Sequence, residues 1–146
     1  KRGSDDDADG DTKIVLDLPE EGGLFVKGSA DRLSQVFGNL LSNALSFSPE
    51  NGRVTVRVLV QNDTIMIQVD DEGEGIPENK LQTVFERFYT ERPQHESYGE
   101  HSGLGLSISK QIVDAHGGQL WAENLRTADG SIMGARFNVV LSKVAA

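Results

Sequence analysis

The sequence predicts an α+β domain, a two-layer sandwich in which a mixed, mostly antiparallel sheet is covered on one face by helices. Three observations carry that expectation. Short runs alternate with period two, as in Val54-Thr55-Val56-Arg57-Val58 and Ile65-Met66-Ile67-Gln68-Val69. Two longer stretches, near residues 31–48 and 104–116, repeat apolar residues at helical spacing. Short polar turns, Asn62-Asp63 and Ala128-Asp129-Gly130, separate strand-like runs and favour antiparallel hairpins.

Taken in chain order, Asp5, Asp6, Asp7, Asp9 and Asp11 with Gly3 and Gly10 form a solvated acidic linker over residues 1–11, ahead of one domain over 12–146. Residues 14–18 alternate as a strand and 24–26 make a second short one. Ser29 or Asp31 caps a helix whose core stripe is Leu33, Val36, Phe37, Leu40, Leu41, Ala44 and Leu45, and which Pro49 and Gly52 terminate. Residues 54–60 and 65–69 follow as a hairpin, and 80–88 as a short helix. The stretch 89–102 is polar, with Pro93 and Gly99, and reads as a mobile loop. A second amphipathic helix over 104–116 carries Leu106, Ile108, Ile112 and Val113 and stops at Gly117-Gly118. Strands over 119–123 and 135–141 close the chain, so that hairpins are expected at both ends of the sheet.

Composition narrows the function classes. A chain of 146 residues with 37% hydrophobic and 25% charged residues suits one domain with a single core. No apolar run is long enough to cross a bilayer. The absence of Cys excludes disulfides and thiolate metal sites. A net charge of −9 argues against nucleic-acid binding and against direct contact with anionic membrane. The chain starts in a polar tail without Met and is expected to be a piece of something longer.

The chemistry concentrates in three places. Asp71-Glu72-Gly73-Glu74-Gly75-Ile76-Pro77 follows a strand directly. A carboxylate there can accept from the exocyclic amine of a purine, and glycines let a flat ligand approach the main chain. Asn39 and Asn43 lie four apart and share one face of the first long helix. Asn is a mediocre helix former, and amide oxygens suit a hard cation such as Mg²⁺ beside phosphates, where a carboxylate would repel them. Gly103-Leu104-Gly105-Leu106 opens the second helix, where free N–H groups and the helix dipole favour phosphate. Ahead of the polar loop, Phe85-Glu86-Arg87-Phe88 offers Arg87 as a permanent positive charge. Each feature alone has an ordinary reading: an acidic turn, a surface amide, a plain helix start, a pair of core aromatics.

Their order is what resembles a known family. An Asn-bearing helix, then Asp-x-Gly-x-Gly, then Phe-x-x-Phe, then Gly-x-Gly-Leu is similar to the four boxes of the sensor histidine kinase catalytic domain. That domain shares a Bergerat-type ATP-binding fold with gyrase, Hsp90 and MutL. Asp31-Arg32-Leu33, Asn39-Leu40-Leu41-Ser42-Asn43-Ala44, His116-Gly117-Gly118 and Gly134-Ala135-Arg136-Phe137 also match, so the likeness covers about residues 12–143. Ser46-Phe47-Ser48-Pro49 with His101-Ser102-Gly103-Leu104 is similar, more narrowly, to the ChvG/ExoS-type sensor kinases of alphaproteobacteria.

The resemblance implies ATP and Mg²⁺ as ligands. Asp71 accepts from adenine N6, with Gly73, Gly75, Ile76 and Phe47 shaping the pocket. Asn43 ligates Mg²⁺ with Asn39 assisting. Arg87 and the backbone at Gly103 and Gly105 face the phosphates, with Phe88, Tyr89, His101, Ser102, Leu104 and Leu106 around them and residues 89–102 as the ATP lid. The family transfers the γ-phosphoryl group to a histidine on a separate dimerisation domain of the same parent, and a response regulator acts downstream. The resemblance implies a cytoplasmic domain of an inner-membrane sensor. Two departures stand out. Ser46-Phe47 occupies the place of a common Lys-Tyr, and His101 stands where Gly often opens the last box. His95-Glu96 is not the acceptor motif, because Ser97-Tyr98-Gly99 is no helical continuation. ATP hydrolysis, anti-sigma-type serine kinase activity and a non-catalytic nucleotide-binding module are the alternatives. Hydrolases of the superfamily place a Glu base where Asn39 stands, and an amide cannot take that proton.

Overall fold

The computed structural model describes residues 12–19, 25–86 and 105–144. Eight regular elements follow in chain order: β1 (Lys13–Asp17), β2 (Phe25–Val26), α1 (Ala30–Phe47), β3 (Arg53–Gln61), β4 (Thr64–Asp70), α2 (Gly105–Ala115), β5 (Gln119–Arg126) and β6 (Ile132–Val144).

Local chemistry accounts for the boundaries. Ser29 is the N-cap of α1, its hydroxyl oxygen accepting from the Arg32 N–H at 3.2 Å, and Asp31 sits in the first turn where the helix dipole favours it. At the other end the Ser48 N–H donates to Ala44 O at 3.1 Å, and Pro49 cannot extend the helix. The β3–β4 hairpin pairs Gln61 with Thr64 across Asn62-Asp63, with Asn62 at φ 34°, a left-handed value that Asn tolerates.

The strands form one sheet in the order β1-β3-β4-β6, with β5 and the two-residue β2 on the far side of β6. Among the described residues, only β1 and β3 run parallel; every other pairing is antiparallel. The expected class is therefore found: α+β, mixed and mostly antiparallel, with helices packed on one face. α1 and α2 cover Val54, Val69, Leu120, Ala122, Ala135, Phe137, Val139 and Leu141. Phe137 is 1% exposed and meets Phe85 edge-to-face, with ring centroids 5.9 Å apart.

Three expectations need correction. Of the helix expected over 80–88, the described residues 80–86 form none; Glu78–Lys80 and Thr83–Phe85 are single 3₁₀ turns, because Val84 and Phe85 reach the core without a regular apolar stripe to support a longer element. Hairpins do not close both ends of the sheet, since β1 lies outside the β3–β4 hairpin as the parallel edge. β5 and β6 are longer than the apolar alternation suggests, because backbone pairing continues through Arg126 and Ile132 where side chains are exposed. β1 itself shows that alternation is not burial. Ile14 and Leu16 are 50% and 62% exposed, since the helices do not extend over this edge.

Candidate nucleotide-binding site

Consecutive carboxylates at the end of β4 point to opposite sides of the sheet, as period-two geometry requires. Asp70 takes the open face and Asp71 returns to the side of Val69. Asp71 is 2% exposed. Its N–H donates to Ala135 O at 2.9 Å, while its Oδ1 accepts from the Gly73 N–H at 2.9 Å and from the Ala135 N–H at 3.2 Å. One oxygen thus fixes the carboxylate against both the turn that follows it and β6. Hydrogen bonds of this kind to a charged acceptor are stronger than neutral ones.

The glycines around it are needed for close approach. A Cβ on Gly134 would lie 1.9 Å from Asp71 O, and one on Gly73 would lie 2.4 Å from Phe47 O. Gly75 has φ +84°, and a Cβ there would meet the Ile132 side chain at 2.5 Å and Asn124 Oδ1 at 2.7 Å. Asn124 holds the next residue as a strand neighbour would: its Oδ1 accepts from the Ile76 N–H at 2.8 Å and its Nδ2 donates to Ile76 O at 2.7 Å. Ile76 is buried in the core, Phe47 is half-buried, and Leu106 packs partly buried against the core.

Asn39 and Asn43 share one face of α1 but have different surroundings. Asn39 Nδ2 donates to Gly105 O and to Ser109 Oγ, both at 3.1 Å. It ties α1 to the first turn of α2, a contact the spacing of the two Asn residues does not reveal. Asn43 is 6% exposed, and among the described residues its Nδ2 has no hydrogen-bond partner. Buried amides are rarely left so, and an amide can turn over to present its oxygen instead. Turned in that way, the Asn43 amide would offer an oxygen to a hard cation. A Cβ on Gly105 would meet only the Asn39 side chain at 3.6 Å or more, so packing among the described residues does not dictate glycine there.

Arg87, Phe88, Tyr89, His101, Ser102, Gly103 and Leu104, the lid over 89–102 and the His95-Glu96 pair lie outside the described residues. Among the described residues, no group of three or more His, Cys, Asp or Glu is arranged to hold a metal ion. The amide of Asn43 is a neutral oxygen donor of a kind that fits Mg²⁺ carried by a triphosphate.

The family is settled by sequence comparison. The profile of the Histidine kinase-, DNA gyrase B-, and HSP90-like ATPase family matches residues 28–144. The chain belongs to that family. Its ATPase domain is of the type found in two-component sensor kinases. It is 50% identical over 117 residues to the Sensor protein ChvG of Agrobacterium fabrum, which covers 80% of this chain and 20% of that protein. The chain thus spans about a fifth of the length of the curated relatives it matches. A mycobacterial sensor histidine kinase, MprB, has the same fold at a TM-score of 0.77 and 31% identity, over 92% of this chain and 84% of that one. The histidine kinase ThkA, solved in complex with the response regulator protein TrrA, superposes at a TM-score of 0.72 and 27% identity, over 91% of this chain and 34% of that one. Both the broad resemblance and the narrower likeness to ChvG are borne out.

Within this family fold, several supporting residues carry no motif of their own. Asn124 is an Asn inside a strand, where that residue type is disfavoured, and this is the signal that marks it. His116 closes the end of its helix, with its Nδ1 2.8 Å from Ile112 O. It also accepts at Nε2 from the Ser29 N–H at 3.1 Å, joining the end of α2 to the cap of α1. On the open face, Arg136 donates to Asp70 through Nε at 2.7 Å and Nη2 at 2.9 Å. That hydrogen bonding raises the Arg136 pKa above its ordinary value, against the opposing effect of burial.

Proposed function

We propose that this chain binds Mg·ATP and is the catalytic domain of a two-component sensor histidine kinase, transferring the γ-phosphoryl group to a histidine on a separate dimerisation domain of the same parent. The observation that carries this reading is the buried Asp71, fixed through Oδ1 beside two glycines that admit no side chain. A carboxylate held in this way accepts a hydrogen bond from the adenine amine, while Gly73 and Gly75 leave room for the ring plane. Asn43 serves as the amide ligand of Mg²⁺. Asn39 assists by holding the start of α2, and its own oxygen belongs to the same face. Bound Mg²⁺ supplies neutralisation of phosphate charge. Arg87 and the backbone at Gly103 and Gly105 take the phosphates, and residues 89–102 act as the lid.

The protein's part in phosphotransfer is positioning and electrostatics. A bond forms from the acceptor histidine nitrogen to the γ-phosphorus as the bond to the ADP oxygen breaks. Asn39 argues for transfer over hydrolysis, since an amide cannot deprotonate water. Residues 12–146 form the catalytic domain and 1–11 an acidic linker. The partners are the histidine-bearing domain and a downstream response regulator, a reading supported by the likeness to ThkA in its complex with TrrA. No helix among the described residues is long and apolar enough to cross a membrane. The likeness to ChvG supports reading the chain as the cytoplasmic portion of an inner-membrane sensor.

The test is a calorimetric titration with ATP and Mg²⁺, repeated on Asp71→Asn. The mutant turns one acceptor into a donor facing the amine, and affinity falls by about tenfold or more. Equal affinity in the two proteins overturns the adenine assignment. Phosphorylation of a supplied acceptor domain then separates a kinase from a non-catalytic nucleotide module.

A further inference from the structure

We propose that Arg136 is a positioning residue for adenine recognition, aiming Asp71 from the opposite face of the sheet by way of Asp70. The inference rests on the reading of Asp71 as the adenine acceptor. Its ground is three consecutive residues of β6 that hold the last residue of β4 and the residue after it. Gly134 lies against the Asp71 carbonyl, Ala135 bonds both the Asp71 N–H and Oδ1, and Arg136 grips Asp70.

The Asp70–Arg136 pair is the last rung of the β4–β6 ladder. A strand end frays unless something holds its last residue, and fraying here swings the next carboxylate directly. A two-point guanidinium–carboxylate contact fixes the orientation of Asp70 as well as its place. Both side chains are mostly shielded, at 23% and 12% exposed, so the pair is screened less than a surface bridge. Arg57 adds a second cation at 3.5 Å from Asp70 Oδ2 and is itself paired to Asp17 at 3.1 Å. On the same open face Glu123 adds its charge near Arg136 and bonds Asn138, which bonds Gln68. None of these groups touches the ligand side of the sheet. Their effect on binding runs through the direction of β4's end.

A merely structural role predicts general loss; a positioning role predicts loss of base discrimination. The experiment compares Mg·ATP with Mg·ITP, whose base carries a carbonyl oxygen in place of the N6 amine, by calorimetry. The wild-type chain is expected to prefer ATP. Arg136→Met keeps the stem but removes the fork, and is expected to cut the ATP/ITP preference by about tenfold, the scale of one charge-assisted hydrogen bond, while ITP affinity stays within about twofold. In an Asp71→Asn background the same change should leave the ratio unaltered, because the two act through one group. Asp70→Asn gives an independent reading of the same ratio if Arg136→Met fails to fold. Undiminished ATP preference in folded Arg136→Met or Asp70→Asn overturns the positioning role while the adenine reading stands. Proportional loss of ATP and ITP affinity also overturns it. A wild type that binds ATP and ITP alike removes the adenine reading and this inference with it.

Discussion

Around Asp71 the spacing between backbone and side chains is set to tenths of an ångström, and glycine is the means. Gly134→Ala places a methyl group where the Asp71 carbonyl stands, 1.9 Å away, so one strand must move. The expected cost is about 2 kcal/mol in urea denaturation, the ordinary penalty of overpacking, together with loss of ATP binding. Gly105→Ala behaves differently. Its added Cβ meets only ordinary contacts, and Ala is the better helix former. Stability is expected to hold or rise while ATP affinity falls. Equal ATP affinity in Gly105→Ala, by the same titration, would show that the start of α2 does not face the phosphates.

The β5–β6 turn illustrates how an element is fastened by local polar chemistry. The Thr127 hydroxyl and then the Ser131 backbone N–H donate to Asp129, and these bonds hold its carboxyl at about 2, below the usual 3.8. The folded value is depressed, so the stabilisation is fully present above the unfolded value near 3.8 and is lost as pH falls through about 2. NMR titration of the carboxyl should return that low value. Thr127→Val removes its largest cause and should move it back toward the ordinary range. Much of this level was readable in the sequence. The Asn62-Asp63 and Ala128-Asp129-Gly130 turns, the Ser29 cap and the Gly117 stop follow from short-range residue preference. The turns at Glu78–Lys80 and Thr83–Phe85 were not readable as such, because their form depends on Val84 and Phe85 reaching a core assembled from distant segments. Likewise, Asn39 shows its amide character in the sequence, but its attachment to Ser109 depends on how two helices meet.

Across the whole molecule, β6 is the strand on which the layers and the site depend. It pairs with β4 on one side and with β5 and β2 on the other, and it contributes Phe137, Val139 and Leu141 to the core. Phe137→Ala is expected to cost about 3–5 kcal/mol and to lower the midpoint of one cooperative transition. Separate transitions for the hairpins and the helices, followed by tryptophan fluorescence and circular dichroism, would show that β6 does not unify the fold. The sandwich and the family could be read from ordered motifs. The β1 edge and the open-face network of Arg57, Asp70 and Arg136 could not, since pairing order and burial are set only when non-adjacent strands come together. α2 is fastened to α1 near its start by Asn39 and just past its end by His116 on Ser29. A force along its axis strains both fastenings at once, so the helix acts as a braced strut.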